Sequence, residues 1–109
     1  DDDAARAMLG ALAGGWHRVA TGVALARGGA LLEDLVVSTR VHFVPLDRPR
    51  IERYVATGEG RDKAGAYAVQ GRGAGFVDRL EGSYSNVVGL PAAETVALLE
   101  RHGALEAWP

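Results

Sequence analysis

Three side chains in the stretch GEGRDKAGAYAVQGRG, Gly58–Gly73, are of the types that phosphate chemistry uses: Asp62, Lys63 and Gln70. A carboxylate holds a divalent cation through oxygen and an ammonium offsets phosphate charge, which together make half of a phosphoryl-transfer site. A carboxamide offers a donor and an acceptor at once. Adjacent residues of an extended segment point to opposite sides, so Asp62 and Lys63 are not expected to pair with each other. Their neighbours are glycine and alanine, too small to cover them, and the expectation is that all three polar groups face one hollow kept open by those neighbours. An Asp-Lys pair in an ordinary surface turn has the same composition, so spacing alone leaves both readings open.

Other candidates carry less. His17 and His42 lie at similar distances from a proposed hairpin turn and could face each other across it, but a metal site needs three or four ligands, and a structural pair is the simpler expectation. GRGAG, Gly71–Gly75, lacks the G-x-G-x-x-G spacing of a dinucleotide loop. Ser83, Ser85 and Asn86 beside Tyr84 could bond a substrate, although polar residues in a tight turn usually bond their own backbone. His102 reads as a cation at a helix end.

These groups need a scaffold, and 109 residues suffice for one small domain with a single core. Glycine is about twice as frequent as the usual ~7%, and eight of the fifteen lie between Gly58 and Gly89, so the excess belongs to the candidate loop and the segment just C-terminal to it. A net charge of −2 with no basic run disfavours nucleic acid polymers and anionic membranes as partners. Zero cysteines exclude disulfides and thiolate metal sites and suit a reducing compartment, the cytoplasm being the default.

Periodicity supplies the elements. Ala4 to Ala13 reads as a helix with Met8, Leu9 and Leu12 on its apolar side, Asp1 to Asp3 forming an acidic first turn and Gly14-Gly15 ending it. Arg18 to Ala26 alternates, as do Leu35, Val37, Thr39, Val41 and Phe43, predicting two antiparallel strands joined by a longer loop through Gly28-Gly29, with Glu33 and Asp34 at its solvated end. Asp47 caps a second helix that has Pro49 in its first turn, buries Ile51, Tyr54 and Val55, and stops at Gly58. A short strand over Phe76 to Glu81, a turn with Val87 and Val88 tucked inward, and a last helix from Pro91 to Gly103 complete the chain. The mixture is α/β or α+β.

The long ordered stretch GEGRDKAGAYAVQGRGAGFVDRLEGSYSNVVGLP resembles the C-terminal signature of the Maf family of nucleoside triphosphate pyrophosphatases. Upstream, AMLGALAGGWHRVATGVAL is similar to the family's helix and His-x-Val-x-Thr-Gly strand, and IERYVATGE to the helix that leads into Asp-Lys-Ala-Gly. The resemblance implies an α/β fold of the Maf and inosine-triphosphatase type, a mixed sheet flanked by helices, with residues 1–109 as the C-terminal portion of one domain. It further implies hydrolysis of a non-standard, modified or pyrimidine nucleoside triphosphate to the monophosphate and pyrophosphate, with Mg2+ or Mn2+. Asp62 and Lys63 would line the phosphate and metal side, with Glu59 and Tyr67 also at the substrate.

Gln70 matches the position that helps to choose the base in the branch acting on dTTP and UTP, where the branch acting on methylated GTP has Glu. A carboxamide complements the mixed donor and acceptor edge of uracil or thymine, whereas a carboxylate only accepts. Ala13 departs from the Ser of many relatives and Ala68 from the usual Gly. The family's Ser-x-Ser-Pro-Arg-Arg motif, the Lys that follows it and the Asp assigned as general base are not in these residues, so activity is expected only with that portion, in cis or as a companion chain. Pairing into a homodimer is a further implication. The alternative is a nucleotide-binding or cell-division regulatory module that keeps the cleft without turnover.

Overall fold

The computed structural model describes all residues, Asp1–Pro109. Helix α1, Asp2–Leu12, begins where the Asp1 carboxylate accepts the Ala4 N–H at 2.7 Å, so Asp1 is the cap and only Asp2 and Asp3 form the acidic first turn. Leu9 is fully buried while Met8 is exposed, a narrower apolar face than the spacing predicts.

Strands β1, Trp16–Arg27, and β2, Ala30–Phe43, alternate exposed with half-buried residues along much of their length, and β2 becomes fully buried at Thr39, Val41 and Phe43. The connection is shorter than the sequence leads one to expect. Gly28 and Gly29 take φ of 59° and 80°, so two residues close the hairpin in the way that suits the strands' twist, and no longer loop is required. Glu33 and Asp34 therefore belong to β2, and Glu33 is engaged by Arg101 at 2.7 Å and His102 at 2.8 Å. Strand β3, Val77–Glu81, pairs antiparallel with β2 to complete the order β1-β2-β3. Asp78 is skipped in that register, and its carboxylate meets His42 Nδ1 at 2.6 Å.

Helix α2, Arg48–Thr57, matches the sequence reading closely: Asp47 accepts the Arg50 N–H at 2.9 Å, and Gly58 closes the helix at φ 72°. A 3-10 turn spans Arg72–Phe76. The predicted turn around Tyr84 is a one-turn helix, α3, Tyr84–Val88, and helix α4 is Ala92–Arg101.

The chain divides into two compact units, with the boundaries falling inside β1 and β2. The first unit comprises Asp1–Arg18 and Arg40–Glu81. Its core is aromatic: Phe43 meets Tyr67 and Phe76 edge-on at 4.8 and 5.9 Å, and Tyr54 meets Phe76 at 4.8 Å. The second unit, Val19–Thr39 and Gly82–Pro109, is organised by a polar group. The buried Asn86 amide nitrogen donates to Val19 and Val37 carbonyls at 3.0 Å each and to Thr39 Oγ1 at 3.1 Å. Burying an amide is costly unless it is bonded, and here three acceptors share the two N–H donors while the buried Oδ1 has no partner in the chain. Val87 and Val88 are only half-buried; the residue turned inward is Asn86.

Candidate functional site

The candidate loop leaves α2 at Gly58 and is held at its base by Glu59. Glu59 Oε2 accepts from the Tyr54 hydroxyl at 2.5 Å and from Gly73 N–H at 3.0 Å, while Oε1 accepts from Arg72 N–H at 2.8 Å. Tyr54 Oη in turn accepts the Ala68 N–H at 2.9 Å. One carboxylate thus ties the end of a helix to the backbone of residues 68–73. The Tyr54 bond and the Arg72 N–H hold the Glu59 carboxyl below its ordinary range, and burial together with Glu59 pushes the Tyr54 phenol up to about 12. Gly71 lies so close to this clamp that a Cβ there would overlap the Glu59 carboxylate, one physical reason for the glycine excess.

Beyond Glu59 the chain makes successive turns, with Lys63 N–H donating to the Gly60 carbonyl and Ala66 N–H to that of Lys63, both at 3.1 Å. Asp62 and Lys63 lie exposed at the tip. The chain then dips inward, burying Ala66, Tyr67 and Val69, before Gln70 emerges exposed. Lys63 lines a hollow of about 340 Å³ beside Asp1, Asp2 and Met8 of the α1 segment, and neither Asp62 nor Gln70 lines it. That hollow is not shared by the three groups, because the buried segment separates the tip from Gln70.

Tyr67 and Glu59 are placed differently from an open substrate surface. Tyr67 is buried, its ring packed on Phe43 and its hydroxyl 2.9 Å from His17 Nε2. Burial raises its phenol to about 12 and lowers the His17 imidazole, whose Nδ1 has no partner in the chain. Glu59 has its oxygens taken by the loop. The histidines do not face each other: His17 packs on Phe43 and Tyr67, and His42 packs on Trp16 and bonds Asp78. Phe43 and His42 are strand neighbours and so lie on opposite faces. Ser83 caps α3 by accepting the Asn86 N–H at 3.1 Å, and Ser85 Oγ accepts the Ala92 N–H at 2.8 Å, so these hydroxyls serve the backbone. GRGAG contributes four of its five residues to the 3-10 turn.

Sequence reasoning misses the Tyr54 hydroxyl, which it places only in the core. The available signal is a Tyr on the apolar face of a helix with a Glu five residues on, a separation that a helix end folds into contact. Chemically, the loop presents an exposed carboxylate, ammonium and carboxamide on a backbone fixed at its base.

A mixed α/β unit carrying such a loop is defined further by comparison with known proteins. Residues 1–102 match the family model described as Maf-like protein, and the chain belongs to that family. It is similar to the dTTP/UTP pyrophosphatase of Anaeromyxobacter sp. (strain Fw109-5), with 55% identity over 112 residues covering 99% of this chain and 55% of the relative. It is also similar to that of Mesorhizobium japonicum, with 55% identity over 102 residues covering 94% and 49%, and to that of Myxococcus xanthus, with 55% over 108 residues covering 99% and 54%. The chain spans about half the length of the curated relatives it matches.

Proposed function

We propose that this chain is part of a nucleoside triphosphate pyrophosphatase that hydrolyses dTTP and UTP to the monophosphate and pyrophosphate. The observation that carries the reading is the match over residues 1–102 to the Maf family, with relatives named for that activity at 55% identity. The loop supports it physically, because Asp62, Lys63 and Gln70 are exposed and Glu59 and Tyr54 clamp the segment that carries Gln70. Lys63 offsets phosphate charge, and Gln70 reads the donor and acceptor edge of a pyrimidine. Glu59 holds the Gln70 segment in place instead of touching substrate.

No three acidic or histidine side chains of the chain gather into a metal-holding group. Asp62 is free to supply one oxygen, and magnesium at phosphate sites commonly takes one or two carboxylates with the remaining oxygens from substrate and water. A Mg2+ or Mn2+ ion held by Asp62 and the substrate would neutralise charge on the phosphates. Water activation is left to the general-base Asp that the family resemblance places outside residues 1–109. The test is a panel of nucleoside triphosphates given to the full-length protein with pyrophosphate release as the readout. Preferred turnover of dTTP and UTP is expected; tight binding of nucleotides without release would make the chain a binding module instead.

Lys63→Ala should lower kcat/KM for UTP about 10- to 100-fold, the range for a lost bond to a charged group. Its thermal midpoint should stay unchanged, since Lys63 is exposed. Unaltered kinetics would remove Lys63 from the site.

A further inference from the structure

We propose that a second hollow, bounded by Arg50, Arg53 and Arg72, binds a small phosphate-bearing anion. The hollow has a volume of about 520 Å³, and its remaining lining is Tyr54, Thr57, Gly75 and Phe76. That volume falls in the range of about 300–1,000 Å³ usual for small-molecule sites. Arg50 and Arg53 are three residues apart on α2 and therefore share a face with Tyr54 and Thr57, while the 3-10 turn brings Arg72 to the same opening.

Three guanidiniums line this space and no carboxylate does. The arginine ion pairs of the chain engage Arg6, Arg40, Arg61 and Arg101, and none of these three. The nearby Glu59 carboxylate is already directed at Tyr54 Oη and the Arg72 and Gly73 N–H groups. Gathering like charges on one helix face is unfavourable without a counter-charge. Guanidinium forks match the oxygens of phosphate bidentately, as they do those of carboxylate, and three of them together suit a group that carries more than one negative charge. The floor is built in advance: Tyr54 is fixed by its bonds to Glu59 and Ala68, and its ring meets Phe76 at 4.8 Å. Asp62, Lys63 and Gln70 take no part in this lining, so the site is separate from the one proposed for substrate.

The phosphate could belong to free pyrophosphate or to a nucleotide, and the test separates them. Backbone amide shifts of the metal-free full-length protein are monitored on addition of inorganic pyrophosphate, of UMP, and of sulfate at matched ionic strength. Saturable shifts at Arg50, Arg53, Thr57, Arg72 and Gly75 are expected with pyrophosphate, UMP or both, and the responding compound identifies the source. Arg53→Gln combined with Arg72→Gln should weaken that binding at least about tenfold, as expected when charged hydrogen bonds are lost, while Arg53→Lys should weaken it less. All three arginines are exposed and removing like charges relieves repulsion, so the variants should melt no lower than the wild type. Shifts confined to Lys63 and Gln70, equal shifts with sulfate, or binding unchanged in the double variant would overturn the proposal without touching the pyrophosphatase reading.

Discussion

Glu59 shows how one carboxylate can matter to a site without facing the ligand. Its two oxygens accept three hydrogen bonds from Tyr54, Arg72 and Gly73, and this holds its pKa down in the folded chain. A depressed acid contributes stability that is fully present above its unfolded value, about 4.3 for glutamate, and that is lost as pH falls through the lower folded value. Glu59→Gln should therefore lower the thermal midpoint near neutral pH, and the gap from wild type should close as pH is taken from about 6 to about 3. A gap independent of pH would show that the charge is not what the loop uses. If Glu59 positions Gln70, the same variant should also raise KM for UTP while affecting kcat less. A fall in kcat alone, with KM kept, would point to direct contact with the reacting phosphates.

Elements are where the sequence is most and least informative. Helix α2 is legible from end to end because its signals are local: Asp47 caps it, Pro49 fits the first turn, Gly58 supplies the positive φ, and Ile51, Tyr54 and Val55 share the buried face. The alternation of β1 and β2 is legible for the same reason, but the hairpin turn is not, since the strands continue up to Gly28-Gly29 through exposed residues that carry no alternation. The burial of Asn86 is hidden because Ser-Tyr-Ser-Asn reads locally as a solvated turn, while its amide partners lie 47 to 67 residues away. The loop's polar tips are visible from residue type, yet the inward excursion at Tyr67 and Val69 that separates Lys63 from Gln70 depends on core packing that no local pattern records. Asn86→Ala should cost about 2–4 kcal/mol by stranding buried carbonyls and leaving a small cavity. Urea unfolding of wild type and variant measures it, and a loss below about 0.5 kcal/mol, ordinary for surface positions, would mean that this amide is not what holds β1, β2 and α3 together.

At the scale of the whole molecule, the chain is a Maf family member of mixed α/β architecture, and no helix is long and apolar enough to cross a membrane. The two charged features of the first unit divide the work in our account: the exposed tip and Gln70 serve the nucleotide, and the arginine hollow serves a second anion. The central claim is that a carboxamide at position 70 selects a pyrimidine triphosphate for cleavage. It is tested most directly by measuring pyrophosphate release from dTTP and UTP by the full-length protein and by its Gln70→Glu variant. The carboxylate should lower kcat/KM for both by about tenfold or more while the thermal midpoint holds, because an acceptor has replaced a donor facing an acceptor. Equal kcat/KM in the two proteins would contradict it.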